Sequence, residues 1–305
     1  MTQLGELQDA LSKFRAAGIK LYAVSYDAPE ALAAFAAARG IEFPLLSDPD
    51  SAVIRAFGIL NTLIQPEDIP FYGIPYPGTY LVDEAGIIRD KFFPRHLANR
   101  SSAETVIDSA LGAILMGDDE PRARGGDDAV RVTAFLHGGG GVLKSGPVRR
   151  LVVRFELREG LHIYGEPVPE GMVATSITVQ GPDGLHVEAP VLPPTQPLVL
   201  AGLGVTLQVW SGTVDLVVPV WADSRLVCVT RPVDVPSATL DVTVRYQACD
   251  DTTCLIPRTE RLHVTVPVEA HDVPNIDLLA KNGQKVTSMD SMTHLDTLVR
   301  RFLPS

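Results

Sequence analysis

The sequence predicts an α/β domain followed by an all-β sandwich. In residues 3–115, apolar stripes at helical spacing alternate with short β-rich runs. From residue 130 to about 268, short strands bounded by Gly, Pro, Asp and Ser follow one another without a long helical stripe. The length of 305 residues, 46% of them hydrophobic, suits two globular domains of ordinary size.

The α/β part has a clear order of elements. Leu4, Leu7, Leu11 and Phe14 form the apolar stripe of the first helix, which Gly18 is placed to end. The following elements are predicted as a strand at 19–27, a helix at 28–40, a strand at 43–50, a helix at 51–59, a hairpin at 77–93 with its turn at 83–86, and a helix at 101–115.

The second half begins after a predicted linker at 116–129, which is polar and lacks periodicity. The sandwich is predicted over 130–270, and the tail at 271–305 carries an apolar stripe typical of a short amphipathic helix at 288–303. The predicted strands of the sandwich cover 130–136, 149–157, 160–165, 174–180, 206–212, 213–222, 225–231, 239–248 and 260–268. Cys228 lies within one of these strands, where we expect core packing.

Composition excludes several classes of function. A net charge of −11 offers no basic patch for nucleic acid or an anionic membrane surface. There is no run of about 18 apolar residues for membrane insertion, and residues 1–15 carry charges at helical spacing where a signal peptide needs an apolar core. The sequence as written therefore predicts a cytoplasmic protein. Three cysteines and seven scattered histidines indicate neither a disulfide framework nor a metal site, and we expect no cofactor.

Two of the three cysteines are five positions apart, in VRYQACDDTTCLIP at 244–257. If the flanking segments form one hairpin, Cys249 and Cys254 face each other across a four-residue loop. Cross-strand Cβ atoms lie about 4.5–5.5 Å apart, and modest adjustment reaches the separation of about 3.8 Å that a disulfide prefers. So short a loop gives little entropic stabilisation, which favours a reversible bond over a structural one. Two small residues packed at a strand end remain the alternative.

These segments resemble a known family. GLHIYG at 160–165 and VRYQACDDTTCLIP resemble the N-terminal domain of the disulfide-interchange protein DsbD, an immunoglobulin-like sandwich with a redox-active hairpin. The resemblance implies that Cys249 and Cys254 form a disulfide and exchange electrons with a thioredoxin-fold partner through a mixed disulfide. We expect a Cys254→Ser variant to trap that intermediate. The residues that the resemblance places at the partner-binding surface are Tyr164, Tyr246, Gln247 and Pro257.

The α/β part resembles the thioredoxin-like fold of the peroxiredoxin and alkyl hydroperoxide reductase (AhpC/TSA) family. The resemblance is carried by QLGELQ, by residues 23–50, by AFGI and by PGTYLVDEAGII. In such proteins a proline, usually with a cis peptide bond, precedes the strand read here as Thr79–Asp83, so Pro77 and Thr79 are candidate substrate-binding residues. An ordinary trans proline is the alternative.

The resembled family places a reactive cysteine before the first helix, where the helix dipole favours a thiolate. No cysteine precedes Cys228 here, so the domain as written cannot reduce a peroxide by the family's route. The family's central strand would lie between the strands at 19–25 and 79–83, and both would present unpaired edges without it. We therefore expect the natural reading frame to extend upstream of Met1 through a strand and a cysteine or selenocysteine motif, in which case a periplasmic location is also open.

The sequence thus predicts a thiol–disulfide redox protein of peroxiredoxin-like and DsbD-like parts. One candidate partner for the cysteine pair is the chain's own N-terminal domain. The alternative is a non-catalytic interaction module that retains both folds. HGGGG at 137–141 matches neither of two known motifs. A phosphate-binding loop would need a glycine directly before Lys144, and an esterase would need a GxSxG motif for its nucleophile, which the sequence lacks. His162 is interpreted as a packed sandwich residue.

Overall fold

A computed structural model describes residues 3–67, 72–94, 99–200, 205–231, 235–250, 252–271 and 300. The predicted amphipathic helix at 288–303 lies, apart from residue 300, outside the described residues. Within them, none of the helices combines the length and apolar character needed to cross a membrane.

The α/β part follows the predicted order of elements with shorter strands. Gly18 and Gly40, with φ of 72° and 62°, end helices where the sequence places them. Ser102 caps the last helix by accepting a hydrogen bond from Thr105 N at 3.4 Å. The elements are α1 (Gln3–Asp9), α2 (Leu11–Ala16), β1 (Ala23–Ser25), α3 (Pro29–Arg39), β2 (Leu45–Ser47), α4 (Ala52–Ala56), β3 (Thr79–Val82), β4 (Ile88–Phe92), β5 (Arg100–Ser101) and α5 (Ala103–Leu111).

The strands of the α/β part form two separate pairs. Strand β1 is parallel to β2, and β3 is antiparallel to β4. Helices α2 and α5 pack together through Phe14, Val106 and Ile107, against Leu81 and Phe92 of the second pair. Within the described residues no backbone pairing joins β1 to β3.

The all-β part contains strands in three sheets. The first of these strands covers residues 122–126, where the sequence analysis predicted part of a linker at 116–129. Residues Arg122 and Arg124 alternate with Ala123 along this edge strand, a short pattern that polar flanks obscure in the sequence. The elements are β6 (Arg122–Gly126), β7 (Val130–His137), β8 (Pro147–Leu157), β9 (His162–Tyr164), β10 (Ser176–Gln180), β11 (Leu185–Val187), β12 (Gln196–Leu200), β13 (Val205–Ser211), β14 (Thr213–Ala222), α6 (Ser224–Val227), β15 (Ser237–Tyr246), β16 (Ala248–Cys249) and β17 (Arg258–Pro267).

The core lies between the sheet of order β11-β14-β8-β7-β6 and the sheet of order β10-β15-β17. Alternate residues of β8, β14 and β15 point inward, as period-2 patterning requires. Val153, Phe155, Leu240 and Val264 are completely buried there. A third sheet, of order β12-β13-β9-β16, continues the fold at one end and positions the cysteine pair.

Cys228 does not lie in a strand, which corrects the sequence prediction. It follows the short helix α6, which Asp223 caps by accepting a hydrogen bond from Arg225 N. The Cys228 side chain is outside the disulfide and is 1% exposed, and its Sγ lies 3.0 Å from the Thr230 hydroxyl, consistent with a packing role.

The two parts contact each other through strands and buried charges. Strand β5 is parallel to the start of β8, with Arg100 opposite Pro147. Glu6 of α1 accepts from both Lys144 and Arg149 at 2.7 Å, and the Arg149 side chain is 1% exposed. Charges this well buried are stable only when they are paired, so these contacts fix the two parts against each other.

Candidate redox site

Cys249 and Cys254 form a disulfide across a four-residue turn, as the spacing permits and the family resemblance implies. Their Cα atoms are 4.1 Å apart. Asp250 organises the turn, because its Oδ1 accepts hydrogen bonds from Thr252 N at 2.8 Å and Thr253 N at 2.7 Å. Those bonds, with one from the Thr252 hydroxyl, lower the pKa of Asp250.

Cys249 and Cys254 face each other in an antiparallel bridge, as expected for a hairpin, and Leu255 N donates to Ala248 O at 2.8 Å. The pairing of the two flanking strands is nevertheless interrupted between this bridge and the long hairpin. Strands β15 and β17 pair as far as Tyr246 and Arg258. Beyond Gln247 the chain changes sheet, and β16 pairs with β9, which places Cys249 opposite His162.

Gln247 accounts for this change of sheet. Its side chain is 8% exposed overall, and its Oε1 accepts from Val173 N at 3.0 Å while its Nε2 donates to Leu255 O at 3.2 Å. The side chain therefore ties the segment after Cys254 to a neighbouring loop. The family resemblance placed Gln247 at the partner-binding surface, whereas the structure shows its side chain as a buried bridge between two backbone segments.

The two sulfur atoms lie in different environments. Cys249 is 1% exposed and packs against Tyr164, Leu207 and Val209. Cys254 is exposed. Of the two cysteines, Cys254 is therefore the one at the surface.

Tyr164 and His162 lie beside the disulfide. The Tyr164 hydroxyl is 3.6 Å from Cys254 Sγ, and burial raises the pKa of Tyr164, so the hydroxyl remains a proton donor at neutral pH. His162, two positions earlier on β9, packs its ring edge-on against the Tyr164 ring with centroids 5.4 Å apart. Residues i and i+2 of a strand share a face, so both side chains lie on the face that Cys249 occupies.

Pro257 and Tyr246, which the resemblance also places at the partner-binding surface, lie in different surroundings. Pro257 is exposed and follows Ile256, which is 84% exposed beside the disulfide. Tyr246 is 1% exposed and packs edge-on against Phe155 in the core. Burial, with Glu260 nearby, raises the pKa of Tyr246 to about 12. Alternation along β15 turns this side chain inward, so the expected direct contact with a partner does not hold for Tyr246.

Pro77 and Thr79 lie at the start of β3, in the other part of the molecule. The Tyr76–Pro77 peptide bond is trans, since the cis peptide bond among the described residues is Glu166–Pro167. The segment before Pro77 is held extended by a bond from Tyr76 N to Ile59 O at 2.7 Å. Among the described residues, no hydrogen bond connects Pro77 or Thr79 to the cysteine pair.

Sequence reasoning did not identify His162 as part of this site. Its place opposite Cys249 depends on which strands pair, and β9 and β16 are more than 80 positions apart in the chain. Within the described ranges, no group of three or more His, Cys, Asp or Glu side chains is arranged to hold a metal ion.

Two family models match this chain. Residues 1–91 match the AhpC/TSA family, and residues 142–266 match the N-terminal domain of the thiol:disulfide interchange protein DsbD. A peroxiredoxin of Mycobacterium tuberculosis is 39% identical over 90 residues, which are 28% of this chain and 54% of the relative. Peroxiredoxin Bcp of Escherichia coli is 32% identical over 90 residues, again 28% and 54%. The chain thus spans about half the length of the curated relatives it matches.

Two solved structures are similar to the chain. The N-terminal periplasmic domain of ScsB from Proteus mirabilis is 18% identical, with a TM-score of 0.31 and coverage of 49% of each chain. The reduced N-terminal domain of DsbD from Neisseria meningitidis is 13% identical, with a TM-score of 0.25 and coverage of 50% of this chain and 91% of that chain.

The family matches confirm both resemblances identified in the sequence. A thioredoxin-like redoxin domain precedes a β-rich domain of the DsbD N-terminal type. Together with the disulfide, they support a thiol redox role for this chain.

Proposed function

We propose that this chain is a thiol–disulfide oxidoreductase whose Cys249–Cys254 pair exchanges electrons with a thioredoxin-fold protein. The observation that carries the proposal is the unequal exposure of the two cysteines: Cys254 is exposed to solvent and Cys249 is 1% exposed. In the exchange, a partner thiolate attacks Cys254 Sγ, and the electron pair of the S–S bond leaves on Cys249. The partner's second thiol then attacks its own sulfur in the mixed disulfide, releases Cys254 and leaves the partner oxidised.

This order of attack differs from the one that the sequence suggested. A Cys254→Ser variant retains only the buried sulfur, which a partner cannot reach. The variant that should trap the intermediate is Cys249→Ser, because it retains the exposed sulfur and lacks the thiol that would displace the partner.

The surroundings of Cys254 suit an apolar partner surface. Leu255 and Ile256, which follow it, are 38% and 84% exposed, and Pro257 is also exposed. Exposed apolar side chains beside a reactive atom are typical of interaction sites. If the N-terminal domain carries the upstream cysteine that its family resemblance implies, that domain is one candidate partner, and the electrons would then serve a peroxiredoxin-like reaction.

The test uses a thioredoxin that retains only its exposed cysteine, activated as a mixed disulfide with thionitrobenzoate. Cys249→Ser should release thionitrobenzoate, measured at 412 nm, and form a covalent adduct visible by mass spectrometry. Cys254→Ser is the matched control and should react at least about 10-fold more slowly because its remaining site thiol is buried. Equal rates, or no adduct with either variant, would contradict the proposal.

Thiol titration separates this function from a non-catalytic interaction module. Under the redox proposal, treatment with dithiothreitol exposes two thiols beyond those of the oxidised, unfolded chain, and reoxidation removes them. Three free thiols that persist under oxidising conditions would favour the interaction module.

The cellular compartment in which the chain resides bears on the same proposal, because it sets the redox state of the cysteine pair. Disulfides persist in oxidising compartments, whereas cysteine thiols are kept reduced in the cytoplasm. Alkylation of free thiols in separated cell fractions will show where the chain resides and whether Cys249 and Cys254 are bonded there. A reduced pair in the cytoplasm would agree with the location predicted from the sequence, and a bonded pair in the periplasm with the alternative.

A further inference from the structure

The reaction proposed above leaves negative charge on a buried sulfur. Attack at Cys254 expels the Cys249 thiolate into a site lined by Tyr164, Leu207 and Val209. Burial disfavours the charged form of a thiol, so the leaving group requires a nearby proton or positive charge.

His162 occupies the position from which a proton could come. It is the residue directly opposite Cys249 in the pairing of β9 and β16, and directly opposite residues of an antiparallel pair have Cβ atoms about 4.5–5.5 Å apart on one face. The His162 side chain is 7% exposed, so it shares the enclosed environment of the sulfur. Its ring is fixed edge-on against Tyr164, whose hydroxyl contacts Cys254.

The groups near His162 lie on three segments. Asp250, in the turn after β16, has its pKa lowered by hydrogen bonds from Thr252 and Thr253 and also by the charge of His162. Tyr164, on β9 itself, has its pKa raised by burial and is neutral. The residue opposite His162 on β13 is Ser211, which does not titrate.

We infer that His162 is the proton donor to Cys249 when the disulfide is reduced, and the proton acceptor when it is formed. The inference rests on the proposed function. In the reducing direction, a partner thiolate bonds to Cys254, the S–S electron pair passes to Cys249, and the imidazolium of His162 transfers its proton to that sulfur. The products are a mixed disulfide, a Cys249 thiol and a neutral imidazole, which regains a proton from solvent. In the oxidising direction, neutral His162 takes the Cys249 proton as that sulfur attacks the mixed disulfide.

The experiment measures the reduction of Cys249–Cys254 by dithiothreitol between pH 5 and pH 9 in the full chain. Rates are divided by the dithiothreitol thiolate concentration at each pH, so that the remaining pH dependence belongs to the protein. The wild type should lose rate as His162 deprotonates. His162→Gln should be slower at low pH, on the order of 10- to 100-fold, and should lack this inflection. His263→Gln is the matched control, because His263 is exposed and pairs with Asp241 away from the site.

Two further measurements keep the inference testable if His162→Gln folds poorly. His162→Phe retains the ring packed against Tyr164 and cannot carry a proton, so it should show the same flat profile. In a Cys254→Ser background, the absorbance of the Cys249 thiolate at 240 nm should titrate at higher pH when His162 is replaced. Profiles and titrations that coincide with those of wild-type His162 would overturn the inference.

Dithiothreitol is used because it separates this inference from the proposed function. If the profiles change as expected and no thioredoxin adduct forms, the proton transfer stands and the protein partner is wrong. If the adduct forms and the profiles coincide, the exchange stands and the role of His162 is wrong.

Discussion

His137 Nε2 lies 2.8 Å from Asp108 Oδ2 and so joins the end of β7 to helix α5 of the preceding domain. On the other side of the ring, Nδ1 is 2.6 Å from Glu120 Oε1, within ion-pair distance. Arg150 also contacts Asp108. His137, Asp108 and Glu120 are all at most 7% exposed. A buried imidazole ring between two carboxyl groups therefore lies at the contact between the two domains.

The first prediction concerns the pH dependence of this contact. Burial lowers the pKa of His137, but its contacts with Asp108 and Glu120 outweigh burial and raise it above the usual 6.5. A raised pKa means that the stabilisation is complete below about pH 6.5 and is lost as the pH rises through the folded-state value. We expect the free energy of unfolding to decrease over that range in the wild type. In His137→Gln it should be lower throughout, by about 3 kcal/mol at pH 6, and should lack this slope. Denaturant unfolding at several pH values measures both, and an unchanged slope in the variant would contradict the assignment.

The second prediction concerns Glu6, which accepts from Lys144 and Arg149. Glu6→Gln leaves two buried cations with a neutral partner, so we expect a loss of about 3 kcal/mol in the free energy of unfolding. Glu42→Gln is the matched control, because the Glu42–Arg15 pair is more than 60% exposed and contributes about 0–1 kcal/mol. Similar losses in the two variants would show that the Glu6 cluster does not stabilise the contact between the domains.

The third prediction concerns Gln247, whose amide bridges Val173 and Leu255. Gln247→Ala removes both hydrogen bonds from a buried site and should destabilise the sandwich by about 1–3 kcal/mol. It should also speed reduction of the disulfide by dithiothreitol, because the segment after Cys254 loses an attachment. Gln180→Ala, at an exposed position on β10, should change neither quantity. An unaltered reduction rate in Gln247→Ala would mean that the segment is held by other contacts.

The fourth prediction concerns Ile256, which is 84% exposed beside Cys254. In a Cys249→Ser background, Ile256→Ser should slow adduct formation with thioredoxin by about 10-fold, because an apolar contact with the partner is lost. Stability should change by less than about 0.5 kcal/mol, as for most surface substitutions. Ile87→Ser, at a 55% exposed position in the other domain, is the control for nonspecific effects. A similar loss of rate in both variants would exclude a specific apolar contact at Ile256.

Much of the fold could be predicted from local patterns. Gly18 and Gly40 end helices because they reach positive φ at little cost, and Ser102 begins one because its hydroxyl accepts a backbone hydrogen bond. The strands of the sandwich were found where inward and outward residues alternate. The errors lie where local signals are weak, as at β6, whose residues are small or charged, and at α6, which has only four residues.

The sequence by itself determined the two fold types and showed that a disulfide is possible across a four-residue turn, because periodicity and cysteine spacing are local features of the chain. Only the tertiary structure decided which of the two cysteines is exposed, what lies beside it and how the domains meet. His162 and Cys249 are 87 positions apart, Glu6 and Arg149 are 143 apart, and their contacts follow from strand pairing and domain packing. Exposure likewise depends on the whole fold. Nothing in the sequence distinguishes the exposure of Cys249 from that of Cys254, but in the fold Cys249 is buried and Cys254 is exposed.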